Sequence, residues 1–203
     1  MLRDMRRRGR VRERIIRVLL NEPDGVLSKY RVSKEAGCSF SWVHEYLKKL
    51  EGLGLIDGTR VVDYRGLVEN WRKIRKKPER EEYLHRSPLD LLKKAGLQYA
   101  LTTYQAENLV QHYLFPSRTD VYIKRVDRDF WHKLVSEGGL VGKGNLRLLM
   151  DDEHVFYGSS EQKGLKVASL PQVIVDLFVE GGVCVEAAEM LLQKVEKGVV
   201  RTI

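Results

Sequence analysis

The side chains with the widest chemical repertoire in this 203-residue chain are acidic, and their spacing argues against their using it. Asp151-Asp152-Glu153 offers three adjacent carboxylates that could gather a divalent cation. Glu161-Gln162-Lys163, with Asp120 upstream, has the spacing of half a metal-dependent nuclease motif. Such a motif needs its lysine held on a strand, but Gly158-Ser159-Ser160 precedes Glu161 and predicts a loop there. The acidic triplet reads as a turn between strands. His44, His85, His112, His132 and His154 are too widely spaced, without Cys or His partners at helical intervals, to predict a metal site. Gly138-Gly139 and Gly142-Lys143-Gly144 lack the frame of a phosphate-cradling loop and read as turns. No catalytic residue, metal or cofactor is expected, and the chain is not expected to be an enzyme.

The remaining chemistry is that of hydrogen-bond donors and cations. On a helical wheel at about 100° per residue, Val43, Leu47 and Leu50 share a stripe with Tyr46 beside it. Ser41, Glu45 and Lys48 lie opposite, flanked by Trp42, His44 and Lys49. One face of this helix packs, and the other is free to meet a polar partner.

The preceding and following segments must position that helix. Val11, Ile15, Ile16, Val18, Leu19 and Leu20 predict a first helix from Arg10, with Arg12, Arg14 and Arg17 on its other positions, stopped by Asn21-Glu22-Pro23-Asp24-Gly25. Ser28 to Ala36 predicts a second helix, carrying Tyr30, Val32 and Ala36 and ended by Gly37. Ser39 or Ser41 can cap the third, which ends near Gly52 or Gly54. Leu55-Ile56, an Asp57-Gly58 turn and Thr59-Arg60-Val61-Val62 predict a hairpin. A fourth helix is expected over 67–75, packing through Leu67, Val68, Trp71 and Ile74.

Charge separates along the chain. Residues 1–80 hold 21 Lys and Arg against 11 Asp and Glu, net +10, whereas residues 81–203 hold 15 against 17, net −2. Concentrating cations in one domain suits a polyanion partner, because each neutralised phosphate releases a counterion.

The run from Gly37 through Ser39, Val43, Leu47, Leu50 and Gly54-Leu55-Ile56 resembles the winged-helix family, over about a third of the chain. The resemblance implies that the third helix enters the major groove of double-stranded DNA, with the hairpin as a wing on the backbone or minor groove. The expected DNA-binding residues are Ser39, Ser41, Trp42, His44, Lys48 and Lys49 on the helix and Arg60 at the wing. The tail 1–10 holds five arginines, among them Arg6, Arg7 and Arg8, and reads as a flexible arm along phosphates or in a minor groove. Arg72, Lys73, Arg75, Lys76 and Lys77 read equally as a solvated helix end or as a DNA contact.

Pro78 and the mixed charges of 76–87 predict a surface connection, with a domain boundary near residue 80. Beyond it, helices are expected over 89–95, 104–113, 128–136, 171–179 and 185–195, and strands near 99–102, 121–123, 146–150, 155–157 and 165–167. The expected class is α+β: a winged helix-turn-helix over 1–80, then a mixed α/β domain over 81–203.

The ending Val167-Ala168-Ser169-Leu170-Pro171-Gln172-Val173-Ile174-Val175-Asp176-Leu177-Phe178, then Gly181-Gly182 and Glu186-Ala187-Ala188-Glu189, resembles the AbiEi family of type IV abortive-infection antitoxins. Ala100-Leu101-Thr102, Ala106, Phe115-Pro116 and Val121-Tyr122-Ile123 resemble an earlier segment of the same family. The family leads one to expect glycine after Thr102, where this chain has Thr103. The resemblance implies a regulator that represses its own operon and whose C-terminal domain antagonises a nucleotidyltransferase-like toxin protein.

Cys38 and Cys184 are too far apart to read as a disulfide framework or zinc site and are expected as buried small hydrophobes. No apolar run is long enough for a signal or a membrane span, so a cytoplasmic protein without a membrane partner is expected. A homodimer on a palindromic operator is compatible with this reading, although no heptad run marks a partner surface. Two other readings compete: a winged-helix protein-interaction adaptor and a metal-dependent nuclease.

Overall fold

The computed structural model describes residues 2–199, with side chains from residue 9 onward, as two compact units that divide between residues 76 and 77. The whole is a mixed α/β protein. The division falls four residues before the expected boundary, because the segment around residue 80 is a strand of the second unit.

In the first unit, α1 (Leu2–Asn21) starts well before Arg10, so the expected arm has a helical backbone; arginine is a good helix former and nothing before Pro23 interrupts it. Ile15, Ile16, Val18, Leu19 and Leu20 are buried as predicted. Arg17 departs from its expected polar face: it is 1 % exposed, with its guanidinium 5.0 Å from the Trp71 ring centroid. Trp71 belongs to α4 (Tyr64–Ile74), which begins three residues earlier than expected because Asp63 accepts a hydrogen bond from the Gly66 N–H and caps it. Glu13 of α1 accepts from Trp71 Nε1 at 3.2 Å and from Arg75 Nη1 at 3.0 Å, joining the two helices through a buried ion pair.

Ser28 caps α2 (Lys29–Glu35), and Ser39, the first of the two candidate serines, caps α3 (Phe40–Gly52) by accepting from the Trp42 N–H. The chain then pairs β1 (Ile56–Asp57) with β2 (Arg60–Val61), so Gly58-Thr59 forms the hairpin turn one residue later than predicted. The loop after α1 adds a third rail: Asp24 bridges Arg60, the Val61 N–H donates to Pro23 O at 2.8 Å, and the Thr59 hydroxyl donates to Leu27 O at 2.6 Å. The sequence predicts only a helix stop there. Gly25 makes the crossing possible, since its φ is +77° and a Cβ would stand 2.8 Å from Arg60 Cβ. Gly25→Ala should therefore cost about 1–3 kcal/mol and speed amide exchange at Val61, as measured by thermal melting and hydrogen exchange.

The second unit contains a seven-stranded mixed sheet in the order β6-β3-β7-β5-β4-β9-β8, built from β3 (Glu79–His85), β4 (Tyr99–Thr102), β5 (Thr119–Ile123), β6 (Gly139–Val141), β7 (Leu146–Met150), β8 (Ser160–Gln162) and β9 (Leu165–Val167). The pairs β5–β7 and β4–β9 are parallel and the others antiparallel. Its helices are α5 (Pro88–Lys94), α6 (Thr103–Gln111), α7 (Arg128–Ser136), α8 (Leu170–Glu180) and α9 (Val183–Glu196). Every residue of β4 and β5 is buried, so both faces of the sheet centre are covered. α8 reaches the face of Thr102 and Tyr122, and α7 the face of Tyr99, whose ring meets Trp131 edge-on.

Three strands overturn sequence expectations. β3 replaces the expected surface connection: Glu79-Arg80-Glu81-Glu82 has no apolar alternation, and pairing with β6 and β7 on either side makes it a strand. β6 replaces a turn at Gly139, and β8 is a strand the sequence does not announce, although Lys163 after it lies in a turn, off the strand, as expected. Conversely, the strand expected at 155–157 is mostly a 3₁₀ turn, Glu153–Phe156, capped by Asp152.

Candidate nucleic-acid interface

α3 presents two chemically distinct faces. Val43, Tyr46, Leu47 and Leu50 are buried, whereas Ser39, Phe40, Ser41, Glu45, Lys48 and Lys49 are exposed and Trp42 and His44 half-buried. The predicted helix residues thus share one α-helix, and about 15 Å separates Ser39 from Lys49 along it. Ser41, His44, Glu45 and Lys48 centre the open face; Trp42 and Lys49 flank one side, Phe40 the other. Ser39 spends its hydroxyl on the cap, at 3.4 Å from the Trp42 N–H.

Arg60 projects from β2 with its side chain 62 % exposed, 3.4 Å from Asp57. Its hairpin is tied to the end of α3 by the Gly58 N–H, which donates to Glu51 Oε1 at 3.0 Å, and Lys29 stands 3.6 Å from the same carboxylate. Arg72, Lys73 and Lys76 are exposed, but Arg75 is withdrawn: its side chain is 2 % exposed against Glu13, so it offers nothing to a phosphate. The side chains of Arg6, Arg7 and Arg8 lie outside the described residues.

Two aromatic groups depart from the sequence reading. Phe40 was absent from the predicted set, yet its ring is 48 % exposed and stacks on His44 with centroids 6.0 Å apart and planes 16° from parallel. The signal was its phase, at the edge of the apolar stripe and one turn before His44. Tyr30, expected among the apolar positions of α2, is 57 % exposed with Lys34 Nζ 5.2 Å from its ring centroid.

The second unit holds a dense polar cluster. Asp120 accepts two hydrogen bonds of 2.7 Å from Arg118 and one from the Thr103 hydroxyl. Asp176 accepts from Thr102 at 2.8 Å, Tyr122 at 2.7 Å and Gln172 at 2.8 Å. Thr103 takes φ +49°, the left-handed conformation glycine holds freely, at the position where the family resemblance calls for glycine. Arg147 Nε stands 3.0 Å from Glu82 Oε1, within ion-pair range though its N–H is not aimed at the oxygen. The adjoining cavity measures about 40 Å³, room for a few water molecules. With both aspartates engaged by several donors, this cluster binds strands to helices rather than offering a free base or metal ligands.

Glu180 joins it through Arg118 at 2.8 Å and Arg147 at 3.4 Å. Partial burial pushes its carboxyl up, but the Arg118 hydrogen bond and the charges of Arg118, Arg147 and Lys77 outweigh this and hold it below its ordinary value of 4.5. A carboxyl lowered in this way stabilises the fold above its unfolded pKa, and the contribution fades as pH falls through the lowered folded value. Glu180→Gln should therefore flatten the loss of stability below about pH 4.5, as read from urea midpoints across a pH series.

The nuclease constellation is not assembled. Asp120 lies on β5 and Glu161 on β8, three strands or about 14 Å across the sheet, while Lys163, with φ +50°, occupies the β8–β9 turn. Among the described residues no three His, Cys, Asp or Glu side chains gather as metal ligands, and no helix is long and apolar enough to cross a membrane. Cys184 is buried, whereas Cys38 is only half-buried.

No family model, curated protein or solved structure matches this chain.

Proposed function

We propose that the protein is a sequence-specific, double-stranded-DNA-binding transcriptional regulator whose first unit is a winged helix-turn-helix. The observation carrying this reading is the open face of α3, mostly polar and carrying Lys48 and Lys49 toward its C-terminal end, backed by a buried stripe and followed by the β1–β2 hairpin. α3 lies in the major groove, Lys48 and Lys49 neutralise phosphates, and Arg60 on the hairpin touches the backbone or minor groove. Arg6, Arg7 and Arg8 add phosphate contacts from the N-terminal end. The Asp24 bridge to Arg60 supports the wing by bracing the hairpin against the loop after α1.

On the resemblance to AbiEi antitoxins, the regulator represses its own operon, as a dimer on a palindromic site, in the cytoplasm. Its second unit antagonises a nucleotidyltransferase-like toxin. The engaged carboxylates of that unit fit a binding role better than catalysis.

Footprinting of the DNA upstream of the gene tests the reading. Protection of a short, defined stretch is expected, with the strongest protection in the major groove. Uniform protection, or none at concentrations that retard no other duplex, would contradict it and favour a protein-interaction adaptor.

A further inference from the structure

Phe40 opens α3 with its ring 48 % exposed, although the buried stripe of the same helix begins at Val43. An apolar ring cannot pair with a phosphate or a base-edge donor or acceptor. Among the groups that line the major groove, the thymine 5-methyl is the apolar one. We propose that Phe40 reads thymine, packing its ring on the 5-methyl of a base beneath the first turn of α3. The proposal rests on the winged-helix reading of residues 1–76.

Position and stiffness both support it. The N-terminal residues of a recognition helix are those that reach base edges. The parallel stack on His44, with centroids 6.0 Å apart, orients the ring before DNA arrives, so little side-chain entropy remains to be lost on contact. Lys48 and Lys49 stand about 12 Å or more further along the axis, where they suit the backbone. Ser39 is occupied by the cap, and Trp42 is half-buried on the other flank. Phe40 thus contributes discrimination that the neighbouring polar groups cannot.

The test starts from a duplex enriched by the full chain from a random library. Each thymine is replaced in turn by deoxyuridine, which removes only the methyl group, and affinities of wild type and Phe40→Ala are compared. One replacement should weaken wild type about fourfold, the factor expected for burying one methyl-sized group. Phe40→Ala should bind the thymine duplex more weakly and be indifferent to that replacement, with unchanged circular dichroism because the ring lies outside the core. Wild type indifferent to uracil at every position, or Phe40→Ala retaining wild-type sensitivity, would overturn the methyl contact and leave DNA binding standing. Failure to enrich any duplex would overturn the winged-helix reading with it.

Discussion

Lys48→Glu together with Lys49→Glu should lower affinity for the specific duplex by about 10²–10³-fold at ~0.1 M salt and reduce the salt slope by about 2. Both lysines are exposed on α3, outside the stripe formed by Val43, Tyr46, Leu47 and Leu50, so charge reversal leaves the packing intact. Two phosphate contacts are lost and two repulsions replace them. The matched control is Lys93→Glu with Lys94→Glu on α5, which makes the same change in net charge on exposed lysines of the second unit. Fluorescence anisotropy should show that control within a few-fold of wild type. Equal losses in both variants would mean that α3 holds no privileged position and that binding follows net charge.

Glu13→Ala should destabilise the first unit by about 3–5 kcal/mol, a large share of the 5–15 kcal/mol that holds a typical domain. The substitution removes the carboxylate that accepts from Trp71 Nε1 and Arg75 Nη1, so two buried donors lose this acceptor while the Arg75 side chain stays 2 % exposed. Breaking such a pair costs more than the pair itself contributes, so Glu13→Leu combined with Arg75→Met should recover most of the loss. Urea unfolding followed by tryptophan fluorescence, with Trp42 and Trp131 replaced by Phe so that Trp71 alone emits, measures both. Because Tyr46 of α3 donates to Asn70 of α4 at 3.3 Å and lies 5.6 Å under the Arg12 guanidinium of α1, the single variant should also bind DNA more weakly, with recovery in the double variant. A double variant as unstable as the single one would show that the Glu13–Arg75 contact is not what couples the helices.

The features legible from sequence were those decided locally. The cap at Ser39, the buried stripe of α3 and the glycine after α2 follow from helical period and backbone chemistry within a few residues. The apolar strands β7 and β9 were readable for the same reason, since Leu146 to Met150 and Leu165 to Val167 carry their own burial signal. What escaped was decided by distant partners. Arg17 and Arg75 read as surface cations until Trp71 and Glu13 are brought to them, the latter across 62 residues of sequence from Arg75. β3 reads as a linker because its strand state depends on β6 and β7, both more than fifty residues later. The bridge from Asp24 to Arg60 was hidden in the same way.

The interface follows the same division. Ser41, Lys48 and Lys49 could be named from their phase opposite the apolar stripe. Phe40 is missed because residue type argues for burial, although its phase at the edge of the apolar stripe marks it as open. In the second unit, Asp120 looked like a potential metal ligand from spacing alone. Only the side chains of Arg118 and Thr103 show that its oxygens are already engaged.

Specific recognition of DNA through α3 is decided by binding of the full chain to the DNA upstream of its gene and to a scrambled duplex across a salt series. A preference of about a thousandfold or more for the upstream duplex is expected, with log affinity falling steeply and linearly as log salt rises. Equal, weak binding that changes little with salt would contradict it.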